Sequence, residues 1–191
     1  NPESPDQLSD MISLIATATN TQDKADQLLD FINQEKEMLT TSLATAYDTP
    51  NIYLAGNSSL LSTAGPAMYQ SGIIELAGGK NVASDISDTY WAEISYEQLL
   101  SWDPDYIILA SDAEYTVDDV LSDPNLKDCT AVKNNHVYAI PGDIEALDSP
   151  VPASILASIW LAGILHPDQV STDTYTKEMN SFYETFYGIN N

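Results

Sequence analysis

The sequence predicts an α/β fold in which a parallel sheet is covered by helices on both faces. From Asn51 onward, segments typical of strands alternate with segments typical of helices, the order that places parallel strands in one sheet. Residues 106–110 form a continuous apolar run, and 136–140 form a second short strand pattern, as expected for strands buried on both faces. Residues 1–47 show helical patterns and no strand pattern. We therefore expect a helical part that precedes the sheet.

The first helix is predicted to end at residue 20. Ser4 is a suitable N-cap, Pro5 occupies the first helical position, and Gln7 is placed to complete a capping box. Its apolar stripe consists of Leu8, Met11, Ile12 and Ile15. Asn20 and Thr21 then interrupt the helical pattern.

A second, longer helix is predicted over 21–47, with Thr21 as its cap and Asp23 in its first turn. One face stays apolar through Ala25, Leu28, Leu29, Ile32, Leu39 and Leu43. A helix of roughly 25 residues is about 37 Å long, more than a compact small domain needs. We interpret it as a spine between two lobes, so that residues 48–191 form an α/β unit of their own.

Local signals place the remaining elements. Strands are predicted at 51–56 and 81–83, and a helix is predicted to open at Gly65 and Pro66 and to close at Gly78 and Gly79. Further helices are indicated by the cap Ser95 with Gln98, by residues 116–121, by Ser149-Pro150 and by the cap Ser171.

The charge balance excludes some classes of partner. The 191 residues contain 29 acidic and 6 basic side chains, a formal net charge of -23. All six basic residues are lysines. Nucleic acids and anionic lipids need clustered Lys or Arg, so neither is expected as a partner. A basic partner, simple solubility and adaptation to salt are all compatible with this composition.

Signatures of catalysis and of metal binding are missing from the sequence. It has no Gly-rich phosphate loop and no Gly-x-Ser-x-Gly elbow. The single cysteine, Cys129, excludes an intrachain disulfide. His136 and His166 stand at element ends, where structural roles are more common than metal ligation. No apolar run is long enough for a membrane span, and no signal peptide precedes the first helix.

Two segments are candidates for a ligand site. Residues 89–97, predicted as a loop, contain three aromatic side chains, among them Tyr90 and Trp91. Aromatic residues in such loops either line a pocket or cap the edge of a core, and both readings stay open. The loop 56–65 is rich in Asn and Ser and follows a strand, so it is either a ligand-facing loop or a plain connector.

Taken together, several segments resemble the siderophore, heme and vitamin B12 binding proteins of ABC importers. Residues 72–83 read GIIELAGGKNVA and are similar to the family's ELAGGxNVA stretch. Residues 91–108 read WAEISYEQLLSWDPDYII, and 131–138 read AVKNNHVY. Both resemble family segments in the same order, and Ser149-Pro150 follows where the family opens its last core helix. The order and spacing of these segments over about 120 residues are specific to the family.

The resemblance implies the second lobe of a periplasmic-binding-protein fold, in which two α/β lobes are joined by one long helix. Residues 1–20 are then the last helix of the first lobe, 21–47 the spine, and 48–191 a three-layer parallel-sheet lobe that binds ligand. The first lobe and an export signal are expected before Asn1. The implied function is the delivery of cargo to an ABC permease, without a cofactor and without catalysis. The implied location is extracytoplasmic, either periplasmic or anchored as a lipoprotein.

The resemblance also assigns residues. Glu97 matches the family glutamate that docks on arginines of the permease. Trp91 matches an aromatic residue that faces cargo, with Tyr90 and the loop residues Asn57, Ser58 and Ser59 as weaker candidates. Family members also place cargo contacts in the region corresponding to 142–148, which here contains no basic residue.

A lobe without arginine favours a corrinoid, then heme or a near-neutral ferric chelate, over an anionic siderophore. Two other classes stay open. A cell-surface interaction domain would bind no small ligand. A carboxylate-dependent hydrolase would need a pair of carboxylates that face a common cleft.

Overall fold

The computed structural model describes residues 2–86 and 90–189. Two helices come first, α1 (Pro5–Thr19) and α2 (Gln22–Leu43). The strands are β1 (Asn51–Ala55), β2 (Ser62–Ala64), β3 (Lys80–Asn81), β4 (Trp91–Glu93), β5 (Tyr106–Leu109) and β6 (Val137–Ala139). The later helices are α3 (Tyr69–Leu76), α4 (Tyr96–Trp102), α5 (Val117–Leu121), α6 (Thr130–Lys133), α7 (Ile155–Leu165) and α8 (Thr172–Tyr187). A 3-10 turn, Pro152–Ser154, leads into α7.

Capping explains where the first two helices begin and end. Ser4 Oγ accepts the N–H of Gln7 at 3.2 Å, as the sequence predicts. Asn20 ends α1 in the left-handed conformation, with φ 56°, which Asn tolerates better than most residues. Thr21 does occupy the N-cap of α2, but its hydroxyl makes no capping hydrogen bond. The predicted N-cap residue is therefore confirmed, without a side-chain hydrogen bond, and α2 ends at Leu43 instead of residue 47.

The sheet has the order β4-β2-β1-β5-β6, and β3 pairs with β1 off this path. β1 pairs in parallel with β3 and β5, and β5 pairs in parallel with β6, which confirms the predicted parallel core. β2 runs antiparallel to both β1 and β4. The sheet is thus a parallel core extended on one side by two strands, the antiparallel β2 and then β4.

The additional strands carry weak sequence signals. Ser62–Ala64 has small and hydroxyl side chains without apolar alternation, so β2 was not predicted. Trp91–Glu93 lies inside the predicted loop 89–97 but pairs with β2, so that part of the loop prediction is wrong. The helix expected from Gly65 begins at Tyr69, because Gly65 and Pro66 belong to the connection after β2.

Side chains of the central strands alternate between two cores, as the period of a strand requires. Ile52 and Leu54 of β1 join the core that also contains residues of α1, α2, α3, α7 and α8. Tyr53 and Ala55 join the other core, with residues of α4, α5 and α6. Helices therefore cover both faces of the sheet, and the predicted three-layer α/β architecture is confirmed.

The long helix α2 packs on the α/β unit along its length. Ile32 and Leu39 are 4% and 0% exposed and belong to the first core. The ring of Phe31 lies 5.3 Å from that of Phe182 and 5.9 Å from that of Phe186, both on α8. The helix interpreted as a spine thus contributes side chains to the same core as the strands.

The strongly apolar helix α7 is a core helix. Nine of its 11 residues are buried, and it contacts α2, α3 and α8. Across the described ranges 2–86 and 90–189, no helix combines the length and the apolar character that crossing a membrane requires.

Candidate functional site

An open cavity of about 530 Å³ lies at the carboxyl-terminal edge of the parallel strands. Segments that follow β1, β5 and β6 each contribute to it. This is the edge at which open α/β sheets bind ligands. The lining is mostly polar and comprises Asn57, Ser58, Ser62, Gln70, Asp112, Asp148 and Ser149, with Met68 and Trp91 as its apolar members.

The indole of Trp91 lies over the end of β1. Trp91 pairs with Ala64 of β2 and is 38% exposed. A Cβ added at Gly56 would lie 3.1 Å from Trp91 Cζ3 and 3.2 Å from Ser62 Cβ. Glycine at position 56 therefore leaves the space in which the indole packs beside the cavity.

Hydrogen bonds join the loops that follow β1 and β5. Asn57 Nδ2 donates to Asp112 Oδ1, and the Asn57 carbonyl accepts the N–H of Glu114 at 2.8 Å. The Tyr115 hydroxyl donates to the Gly56 carbonyl at 2.6 Å. The two loops therefore form one continuous wall of the cavity.

Asp148 is a buried carboxyl group at the cavity, with 3% of its surface exposed. The Ser111 hydroxyl donates to its Oδ1 at 2.5 Å. Burial raises the pKa of Asp148 above its usual value, and the hydrogen bond from Ser111 opposes that effect. A Cβ at Gly142 would lie 2.9 Å from Ser111 Cβ, so the segment after β6 approaches Ser111 closely.

Gln70 lines the cavity from the first turn of α3 and is 7% exposed. Its Oε1 has no hydrogen-bond partner among the described residues. The adjacent Ser71 hydroxyl donates to the Gly65 carbonyl at 2.9 Å and accepts from Asn81 Nδ2 at 2.9 Å, which fixes the start of α3. A buried polar atom without a partner costs about 1–3 kcal/mol, so the Gln70 amide is positioned for a partner from outside.

The cavity has a negative electrostatic character. Two of its lining residues are aspartic acids, and none of the described ones is basic. Lys36 pairs with Asp6 at 2.9 Å, and Lys177 pairs with Glu178 at 2.8 Å. Lys80 pairs in register with Asn51 at the start of β1, the opposite edge of the sheet.

The structure brings three of the five sequence-predicted ligand residues to the cavity: Trp91, Asn57 and Ser58. Ser59 is not in the lining, and its Oγ accepts the N–H of Leu61 at 3.1 Å. Tyr90 is also outside the lining, and its hydroxyl donates to Glu3 Oε1 at 2.7 Å. Three of the five predicted ligand residues therefore lie at the cavity, and two lie outside its lining.

Glu97 lies exposed on the first turn of α4. Ser95 caps this helix by accepting the N–H of Gln98 at 3.2 Å. Hydrogen bonds from the backbone and from Ser95 lower the pKa of Glu97. Glu93, at the end of β4, pairs with the cavity residue Ser62. α4 therefore begins at the cavity edge, and Glu97 presents a charged carboxylate to solvent there.

The two histidines have packing roles. The His136 ring stacks on Tyr106 with centroids 4.5 Å apart. His166 is 3% exposed, and its Nε2 lies 3.2 Å from the Gly78 carbonyl. In the part of the chain that the structure describes, no three His, Cys, Asp or Glu side chains are grouped to hold a metal ion.

Six lining residues were not among the predicted ligand residues: Ser62, Met68, Gln70, Asp112, Asp148 and Ser149. They come from four separate segments, and only the folded sheet brings them together. Asp112 had a usable signal, because it follows the buried strand β5 by three positions. Gln70 had none, because the start of α3 was placed too early.

The sequence of this chain is similar to those of known proteins. A family model described as periplasmic binding protein matches residues 1–144. The molybdate-binding protein MolA of Haemophilus influenzae is 27% identical over 185 residues, which are 95% of this chain and 52% of that protein. A cobalamin-binding protein of Halobacterium salinarum is 28% identical over 110 residues, 54% of this chain and 29% of that protein.

Solved structures agree in fold. A periplasmic solute binding protein from Veillonella parvula has a TM-score of 0.84 at 26% identity, covering 96% of this chain and 56% of that one. MolA bound to molybdate gives 0.84 at 26% identity, with 97% and 57% covered. CeuE of Helicobacter pylori gives 0.88 at 19% identity, with 100% and 61% covered, and supports the fold alone. The chain spans about half the length of the longest-matching curated relative.

Proposed function

We propose, on the premise that this chain belongs to the periplasmic binding protein family, that it is one lobe of the extracytoplasmic substrate-binding component of an ABC importer. The cavity beside Trp91 carries this proposal. It lies at the carboxyl edge of the parallel strands and is open to solvent, as half of a ligand cleft would be. The solved relatives are nearly twice as long as the stretch they share with this chain.

The surface of α1 supports a second lobe. Leu14 and Ile15 are 70% and 52% exposed on this helix, although they are apolar. Apolar side chains exposed to this extent on a helix are expected where another part of the protein covers that helix. We propose that α1 ends the first lobe, that α2 is the interlobe helix, and that residues 48–191 form the second lobe.

The cargo we propose is a corrinoid of the cobalamin type, with heme or a ferric chelate as alternatives. Trp91 offers an aromatic face of the kind that packs on a flat macrocycle. Asn57 and Ser58 offer hydrogen bonds to peripheral amide or carboxylate groups. The named ligand of the Halobacterium relative, cobalamin, belongs to the first of these classes.

Titration calorimetry with cobinamide, cobalamin, heme and ferric chelates tests the cargo. We expect one of these ligands to bind, and Trp91→Ala to weaken that binding about 10-fold through the loss of stacking. Trp102→Phe is the matched control, since Trp102 packs on the second core instead of the cavity. Absence of binding by every ligand of the set would contradict the proposed cargo classes.

We propose further that Glu97 docks on arginine residues of the permease. An exposed carboxylate on the first turn of a helix makes charge-assisted, bidentate contacts with Arg. In an uptake assay Glu97→Arg should abolish transport and leave cargo affinity unchanged. Asp173→Arg is the control, because it makes the same charge change on the first turn of α8. Unchanged uptake by the Glu97 variant would remove the docking role.

A further inference from the structure

We infer that the cavity selects a cationic or neutral cargo that presents hydrogen-bond donors, and that it rejects oxyanions. This inference rests on the proposed importer function and names the chemical class of its substrate. It stands on three features of the cavity: a buried amide without a partner, a carboxylate held by an amide, and a second carboxylate held by a hydroxyl.

The first feature is Gln70. Its side chain is more than nine-tenths buried, lines the cavity, and has an Oε1 without a partner among the described residues. The described hydrogen bonds hold neither end of this amide in place. It can therefore turn toward a ligand without breaking a bond, and a ligand N–H or O–H would satisfy its oxygen.

The second feature is the Asn57–Asp112 pair. One of the two amide N–H groups of Asn57 donates to Asp112 Oδ1, so this N–H is already engaged within the protein. The acceptors that remain at the wall are Asn57 Oδ1 and the second carboxylate oxygen of Asp112. Both favour a ligand that donates hydrogen bonds.

The third feature is Asp148, which receives the Ser111 hydroxyl at 2.5 Å. Here too, the nearby hydroxyl donor is used inside the protein. Asp112 and Asp148 line one cavity whose described residues include no Lys or Arg. An oxyanion in this position would face like charge with no basic group to offset it. Molybdate, for which the Haemophilus relative is named, is such an anion.

Two corrinoids of nearly equal shape separate charge from size. Diaquacobinamide is cationic, dicyanocobinamide is neutral, and both carry the same peripheral amides. Molybdate and ferric citrate serve as anionic probes. Calorimetry on the chain should give the tightest binding for diaquacobinamide, weaker binding for dicyanocobinamide, and no heat of binding for either anion.

Variants assign the effect to the cavity. Asp112→Asn should weaken diaquacobinamide about 5–10-fold, the size of one partly screened charge contact, and leave dicyanocobinamide within about 2-fold. Asp143→Asn is the matched control, because this exposed residue belongs to the neighbouring loop and not to the cavity lining. Gln70→Leu should weaken both corrinoids, whereas the exposed Gln98→Leu should weaken neither.

The possible failures are distinguishable. Binding of molybdate or ferric citrate in preference to the cobinamides overturns the inference and leaves an importer lobe in place. The inference is also overturned if Asp112→Asn lowers the affinity for both corrinoids equally, or if it leaves the affinity for diaquacobinamide unchanged. Binding of no probe of either charge overturns the proposed cargo class together with the inference.

Discussion

The carbonyl oxygen of Gly78 accepts a hydrogen bond from Nε2 of His166 over 3.2 Å. A carbonyl can only accept, so Nε2 is the donor in this bond. Gly78 follows α3, and His166 ends α7. The bond therefore joins two helices at the edge of the sheet opposite the cavity.

Replacing Gly78 by alanine should destabilise the protein by about 2–4 kcal/mol. Gly78 has φ +77°, and a Cβ there would lie 2.7 Å from His166 Nε2. Urea unfolding measures the loss. Gly188→Ala is the control, because Gly188 also has a positive φ, +68°, but has nothing within 4 Å of an added Cβ. Equal losses in the two variants would show that contact with His166 is unimportant.

Glu35 should make the stability of the protein depend on pH. It is 8% exposed on α2, and burial, together with the charge of Glu178, raises its pKa to about 7. The folded state holds this proton more tightly than the unfolded state does. The contribution of Glu35 to the free energy of unfolding is therefore fully present below about pH 4.5 and is lost as the pH rises through about 7.

Glu35→Gln should remove the loss of stability that Glu35 causes at high pH. At pH 8 we expect its free energy of unfolding to exceed that of the parent by about 1–3 kcal/mol, and at pH 4.5 the difference should be near zero. Denaturant unfolding at the two pH values provides the measurement. Glu37→Gln removes an exposed carboxylate from the same helix and should show no such pH dependence. A Glu35 variant that behaves like this control would refute the assignment.

Residues 48–191 should not fold stably without the helices that precede them. Removing α2 uncovers the partners of Ile32 and Leu39 and the ring contacts of Phe31 with α8. Deleting several buried apolar side chains at about 2–5 kcal/mol each exceeds the stability of a typical domain. Circular dichroism and thermal melting of the shortened chain check this, with the whole chain as reference. A cooperative melt of the shortened chain would contradict it.

Salt should stabilise the protein. Its net charge is -23, and the carboxylates that are not paired repel one another. Raising NaCl from about 0.1 M to about 1 M shortens the screening length from about 10 Å to about 3 Å. We expect the melting temperature to rise by about 5 °C or more, equivalent to about 1–2 kcal/mol. A melting temperature that falls with salt would show that favourable ion pairs outweigh the repulsion.

The sequence predicts the central parallel strands of the sheet better than it predicts the strands added beside them. Tyr106–Leu109 was recognisable because a strand buried on both faces must be apolar throughout. Ser95 was recognisable as a cap, and its hydroxyl accepts the N–H of Gln98. Ser62–Ala64 was not, because its position in the sheet depends on pairing with β1 and β4 and not on its own side chains.

The site was predictable in the loop that follows β1 and at Trp91, whose segment carries the family resemblance. Asn57 and Ser58 come immediately after β1, so their place at the carboxyl edge was foreseeable. Gln70, Asp112 and Asp148 belong to three further segments, and no local pattern announces that they share a cavity. Tyr90 was predicted to bind ligand but does not line the cavity, because its hydroxyl donates to Glu3. Its neighbour Trp91 does line the cavity.

β4 is one of the two terminal strands of the described sheet and has three residues in register with β2. Short terminal strands open locally at far lower free energy than central ones. The amide hydrogens of Trp91–Glu93 should therefore exchange with solvent well before those of Tyr106–Leu109. The indole beside the cavity thus belongs to a short terminal strand, and we expect it to change position more easily than the side chains of the parallel core.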